Sequence, residues 1–189
     1  ATLAPERRMD NPARPLILRG MEHDSDLLIV GGGLNGPALA LAAARAGLSA
    51  TVIDALPLSD RSQSDFDGRS YSLALASVRL LRALGVWDAV ADHAQPMLDI
   101  KVSDGHAGQG GAPFFLHFDH AEIEEGPMGH MVEDRHLRRA LLDAVADTPL
   151  ITQISGEAVT AQEITAQFAQ VTLASGRALK GCVLIGSDG

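Results

Sequence analysis

The stretch Gly31-Gly32-Gly33-Leu34-Asn35-Gly36 is where residue type and spacing could do chemistry. Glycines at the first, third and sixth positions let a chain turn tightly, let a ligand approach the backbone, and let a following helix pack close. Such a turn at a helix N-terminus offers free amides and a positive dipole, which is an anion site. By itself the pattern arises by chance in loops, so its flanks decide. Asp26-Leu27-Leu28-Ile29-Val30 reads as a buried parallel strand ending at the glycines. Leu34 to Ala46 reads as a helix, with Pro37 in its first turn and Gly47 after its end. Ala50-Thr51-Val52-Ile53-Asp54 reads as the next strand, closing a βαβ unit whose last residue is an acid.

This context makes a dinucleotide fingerprint. Gly31 is expected to make the tight turn, Gly33 to admit the pyrophosphate, and Gly36 to let the helix meet the strand. The amides around Leu34 and Asn35 point at the phosphates, and Asp54 accepts hydrogen bonds from the adenosine ribose. A glycine turn that served packing alone would need neither the acid nor the free helix end.

The elements that position this turn continue along the chain. Pro57 to Gly68 is a polar loop, and Leu73 to Leu84 has helical spacing that stops at Gly85. Leu98 to Val102 and Pro113 to Phe118 read as strands around the glycine-rich turn Asp104 to Gly111. Asp134 to Val145 is an amphipathic helix. Strands are expected over Leu150 to Ile154, Ala158 to Ile164, Gln170 to Leu173 and Cys182 to Ile185. The first 24 residues lack periodicity and are expected to be a loose extension.

Composition removes several function classes. A net charge of −9 argues against a nucleic-acid partner, which would want a basic face. The single cysteine, Cys182, excludes an internal disulfide and points to a reduced, cytoplasmic setting; its apolar flanks suggest a strand and not a nucleophile. No apolar run approaches the roughly 18 residues of a spanning helix. His117, Asp119, His120 and Glu122 are of metal-ligating type, yet the histidines, three apart, should point to different faces, so no metal is expected. Glu122, Glu124 and Glu125 read as a solvated loop, Trp87 as a core plug, and the leucines beside Arg138 and Arg139 as core packing.

The fingerprint is shared by FAD and NAD proteins, so the choice rests on other stretches. The run Phe66-Asp67-Gly68-Arg69-Ser70-Tyr71-Ser72-Leu73-Ala74-Leu75-Ala76, followed by Leu81-Arg82-Ala83-Leu84-Gly85-Val86-Trp87, resembles the flavoprotein aromatic hydroxylases of ubiquinone biosynthesis. Val102-Ser103-Asp104-Gly105-His106-Ala107-Gly108 is similar to the polyprenyl-methoxyphenol hydroxylase branch of that family. Gly129 to Leu137 and Leu184-Ile185-Gly186-Ser187-Asp188-Gly189 agree with it as well. By this resemblance Arg69 reaches toward the flavin, Arg135 approaches the ribityl chain, the backbone at Val159 meets the adenine, and Asp188 belongs to an Asp-Gly motif associated with FAD and nicotinamide. Many members carry glutamate at the position of Asp54. The family's later Gly-Asp motif and most of its substrate-domain sheet are not among these 189 residues.

The implied fold is α/β: a Rossmann-like FAD-binding domain with a three-layer, mostly parallel sheet, interrupted by part of a β-rich substrate domain. Residues 25–97 and 130–189 would form the former and 98–129 the latter. The implied reaction uses FAD, NAD(P)H and O2 to hydroxylate a polyprenylated phenol through a C4a-hydroperoxyflavin, with the whole enzyme peripheral to a membrane or in a biosynthetic complex. No side chain is singled out as catalytic, and these residues by themselves are expected to be inactive. The alternatives are a flavin oxidase or dehydrogenase without oxygen insertion, and a nucleotide-binding module without turnover.

Overall fold

Leu28, Ile29, Val52 and Ile53, from the two apolar runs that flank the glycine turn and its helix, are each 1% exposed or less. The structure is a computed structural model that describes residues 23–187, apart from residues 63, 64, 109 and 123–125; of 112 and 113 it describes the backbone only. It divides into two compact units, 1–63 with 141–189, and 64–140, the division falling within a helix.

In the first unit, β1 (Ser25–Val30) leads through the glycine turn into α1 (Asn35–Arg45) and β2 (Ala50–Asp54). A single turn, α2 (Leu58–Arg61), interrupts what the sequence presents as loop. Numbered after the elements of the second unit, β8 (Ile151–Ser155), β9 (Val159–Ile164), β10 (Ala169–Leu173) and β11 (Ala178–Gly186) complete a six-stranded sheet of order β8-β2-β1-β11-β10-β9. The four strands from β8 to β11 in that order are parallel, and β10 and β9 add antiparallel.

Alternation along the strands sorts side chains to two faces. Leu28, Ile53, Val171, Leu173 and Leu179 form one buried cluster, with Ile154, Val159 and Leu184 packed on it. Ile29, Ala40, Ala50 and Val52 form the other, where α1 contributes Ala40. The small residues of α1 allow this close approach. Gly36 is the extreme case: a Cβ there would sit 2.0 Å from the Gly31 carbonyl oxygen. Asp26, 2% exposed, is satisfied by Ser49, whose N–H and hydroxyl donate to Oδ2 at 2.7 and 2.8 Å.

The second unit holds β3 (Ser70–Ala74), α3 (Leu75–Ala83), 3-10 turns at Trp87–Ala89 and Ala91–His93, β4 (Ala94–Met97), β5 (Asp99–His106), β6 (Gly110–Asp119), β7 (Gly129–Glu133) and the start of α4 (Asp134–Ala146). β3, β7 and β4 make a three-stranded antiparallel sheet, and β5 pairs with β6 as a hairpin. The expected helix at Leu73 begins at Leu75 because Ser70 to Ala74 is drawn into pairing with β7. Likewise the hairpin strands run further than their apolar stretches, β5 to His106 and β6 from Gly110, into the segment Asp104 to Gly111 that the sequence presents as a turn. Trp87 is buried, edge-on to His130 at 4.9 Å. The hairpin leaves Ile100, Val102, Phe115, Leu116 and Phe118 exposed. Among the described residues no helix is long and apolar enough to cross a membrane.

Two imidazoles of this unit carry a pH dependence. His136 stacks on His93 with centroids 3.8 Å apart, and burial, then His93 and Arg135, lower its pKa while Glu133 opposes them. Burial, then Arg82, lowers that of His130, whose Nδ1 is buried with no hydrogen-bond partner among the described residues.

Two outcomes are expected. Gly36→Ala should cost about 3 kcal/mol or more, because backbone must shift, and lower the melting temperature by many degrees, whereas Gly33→Ala, with nothing within 4 Å of the new Cβ, should leave the melting temperature nearly unchanged. Because both histidines are depressed below the ordinary 6.5, their contribution is full above about that pH and is lost as pH falls through their folded values. Melting temperature should therefore decline on acidification from pH 7 to 5, and His136→Gln should flatten that decline; an unchanged slope would remove His136 from the account.

Candidate functional site

The parallel strands β1, β2, β8 and β11 deliver their carboxyl ends to one edge of the sheet, where ligands of open α/β folds bind. The glycine turn leaves β1 with Gly31 at φ 116°, a left-handed value that only glycine adopts without strain. Its N–H donates to Ile53 O at 2.8 Å, and Ser187 N–H donates to Val30 O at 2.6 Å, bringing the end of β11 alongside. Gly33 faces open space on the side where a Cβ would be. Helix α1 begins without a side-chain cap and without an acid in its first turn, so its amides and dipole are not neutralised locally.

Asp54, the last residue of β2, turns its carboxylate to the glycines. Oδ2 accepts from Gly32 N–H at 2.5 Å, and Oδ1 accepts from Leu56 N–H at 2.7 Å. A carboxylate has about four lone-pair sites, so one remains on each oxygen, which suits the two vicinal hydroxyls of a ribose. Two features therefore fit the adenosine diphosphate half of FAD: an open glycine beside bare helix amides for the diphosphate, and a half-satisfied carboxylate for the ribose. Leu34 and Asn35 lie at the start of α1 as expected, Leu34 as the N-cap and Asn35 as the first helical residue. Val159 opens β9 opposite Leu173, and its side chain packs on the core cluster.

Sequence reasoning missed Arg61. It is 2% exposed; Nη1 donates to Gly32 O at 2.5 Å, Nη2 donates to Ser155 Oγ at 2.8 Å, and Nη1 lies 3.8 Å from Asp54 Oδ2. An arginine among serines and aspartates reads as solvated loop, and no local signal marks it otherwise; only the observed register, with Asp54 opposite Ser155, brings its partners together.

The second unit places Arg69 immediately before the strand β3. Its guanidinium donates to Asp67 Oδ2, from Nε at 2.8 Å, and lies 3.6 Å from Asp134. Those hydrogen bonds, from the side chain and then the backbone of Arg69, hold the Asp67 carboxyl below its ordinary value. Asp134, 3% exposed, also accepts from Tyr71 hydroxyl at 3.0 Å and from Arg138 Nε at 2.9 Å. Burial and that hydrogen bond raise the Tyr71 phenol. Arg135 donates to Glu133 at 2.7 Å and lies 5.9 Å over the Phe66 ring. Asp188 lies outside the described residues, as do Glu124 and Glu125.

Two groups of metal-ligating atoms come together among the described residues. Asp99, His117 and Asp119 meet on the exposed hairpin, where His117 Nε2 bonds Asp99 directly at 2.5 Å. His120 turns instead to Leu98 O, 3.1 Å from its Nδ1. His23, Asp26 and Cys182 form the other group, with Cys182, half-buried on β11, 3.1 Å from His23 Nε2.

Comparison with known proteins agrees with this geometry. The ubiquinone hydroxylase UbiL of Rhodospirillum rubrum is 41% identical over 165 residues, covering 87% of this chain and 37% of the relative. The 3-demethoxyubiquinol 3-hydroxylase of Escherichia coli K12 is 33% identical over 167 residues, covering 87% and 41%. The chain thus spans about two fifths of the length of these curated relatives. The crystal structure of p-nitrophenol 4-monooxygenase PnpA from Pseudomonas putida DLL-E4 superposes with a TM-score of 0.68 at 16% identity over 89% of this chain and 41% of that one, which speaks for the fold. A family model described as FAD binding domain matches residues 24–189, and the chain belongs to that family.

Proposed function

We propose that this chain supplies the adenosine diphosphate subsite of a flavin monooxygenase that hydroxylates a polyprenylated phenol on the way to ubiquinone. The observation that carries the reading is the pairing at one sheet edge of an open Gly33 with an Asp54 carboxylate that keeps one acceptor position on each oxygen. The names of the relatives supply the substrate class, ubiquinone precursors. Bound FAD supplies the redox chemistry, taking electrons from NAD(P)H and activating O2 so that one oxygen atom enters the ring.

The chain's own residues hold the cofactor. Gly31 and Gly36 set the turn, Gly33 with the amides of Leu34 and Asn35 meets the pyrophosphate, and Asp54 takes the ribose diol. Arg69 and Arg135 extend toward the flavin and ribityl chain, the Val159 backbone toward the adenine, and Asp188 toward the flavin and nicotinamide, roles that rest on the family resemblance. A polyprenyl substrate partitions into lipid, so the whole protein works at a membrane surface or within a complex that presents the substrate.

Asp54→Ala removes a charge-assisted acceptor worth about 1.5–3 kcal/mol, so FAD affinity in a fluorescence titration should fall by about ten- to a hundredfold. Gly33→Ala should weaken FAD comparably while its melting temperature stays at that of the parent. Unchanged affinity in both folded variants would end the assignment. For the reaction, a full-length protein containing this chain, given FAD, NAD(P)H, a polyprenyl phenol and 18O2, should yield product carrying one 18O; product without label, or oxidation without hydroxylation, would favour an oxidase or dehydrogenase.

A further inference from the structure

The fingerprint leaves its second position open, yet here that position is Gly32, and a side chain on it would have to displace the Arg61 guanidinium and press on Asp54. A Cβ on Gly32 would lie 2.0 Å from Arg61 Nη1, 2.8 Å from Arg61 Cζ and 2.8 Å from Asp54 Oδ2. The guanidinium thus occupies the space that a side chain on Gly32 would take. We propose that Arg61 is a positioning residue of the dinucleotide site, which fixes the Asp54 carboxylate and the glycine turn in their ribose-binding arrangement, and that Gly32 is glycine to admit it. This rests on the reading of Asp54 as the ribose acceptor.

The hydrogen bonds explain how. Arg61 joins the turn after β1, through Gly32 O, to the end of β8, through Ser155 Oγ, and so bridges both neighbours of the strand that carries Asp54. Gly32 in turn donates its N–H to Asp54, so the peptide that meets the guanidinium on one side of the residue meets the carboxylate on the other. Donation into the Gly32 carbonyl leaves the acceptor positions on Asp54 for the diol, while the cationic charge 3.8 Å from Oδ2 offsets the repulsion between that carboxylate and an incoming diphosphate. The bridge is also buried, where its geometry is not averaged by solvent. Arginine suits this work because its rigid fork can bond two acceptors at once, which a lysine ammonium on a flexible stem does less well.

The test compares ADP with 2′-deoxy-ADP by calorimetric titration, alongside FAD. In the parent protein the missing hydroxyl should cost about tenfold in affinity, since Asp54 is held to receive it. In Arg61→Met, of similar length and uncharged, that ratio should shrink to about twofold, and Arg61→Lys should recover part of it. A general loss of stability would lower both affinities and leave their ratio unchanged, and that result would overturn the proposal. Gly32→Ala should reduce FAD affinity in the parent but add little in the Arg61→Met background; equal effects in both would also overturn it. A parent protein that binds none of the three ligands, or does not distinguish the two ADPs, refutes the ribose role of Asp54 itself, and is told apart from failure of the Arg61 proposal by being seen before any substitution.

Discussion

The approach of α1 to β1 at Gly36 is the constraint from which the site hangs. Because a single Cβ at Gly36 would overlap the Gly31 carbonyl, the helix starts directly against the end of the strand, and its free amides open where the strand stops. A longer connection would let the helix drift and would spread those amides over more space. The same closeness leaves the turn only a few residues in which to reverse, which is why Gly31 takes a positive φ and hands its N–H to Ile53 on the neighbouring strand. Strand β2 is thereby tied to the turn at the point where its last residue, Asp54, faces the glycines.

An acid beside an anion site poses an electrostatic problem, and the structure answers it with partial charges and one whole charge. Two backbone amides bond the Asp54 carboxylate, the helix N-terminus lies close along the chain, and a buried guanidinium stands 3.8 Å away. Burying arginine is expensive unless its donors are used. Here they meet a carbonyl and a hydroxyl on elements that flank β2, so the cost is offset by bonds that also restrain the turn.

The opening βαβ unit was legible because its signals are local: an apolar run, three glycines, a small-residue helix and an acid at the end of the next strand all lie within thirty residues. The later strands β8 to β11 were legible for the same reason, each being a short apolar stretch between turns. What escaped was whatever depends on distant partners. Leu73 and Ala74 read as the start of a helix and join a strand because β7 lies beside them, and β4 and β7 carry no strong alternation of their own. Arg61 was illegible because its burial is imposed by Gly32 and Ser155, residues 29 and 94 positions away.

Arg69 shows how a motif residue is held in place by its neighbours. Its Nε and Nη2 are spent on Asp67, and Asp134 stands 3.6 Å away, which by itself would explain an arginine at this position. But a guanidinium has five donors in a fixed fork, and this side chain is 56% exposed, so the contacts to Asp67 and Asp134 do not enclose it. Two carboxylates that fix one edge of an arginine remove most of the rotamer entropy that a ligand would otherwise have to immobilise. Asp134 itself cannot move to follow a ligand, since it is buried and held by Tyr71 and Arg138. Ion pairs that look purely structural therefore also set where this cation stands, because the buried, doubly held Asp134 gives the pair a fixed end.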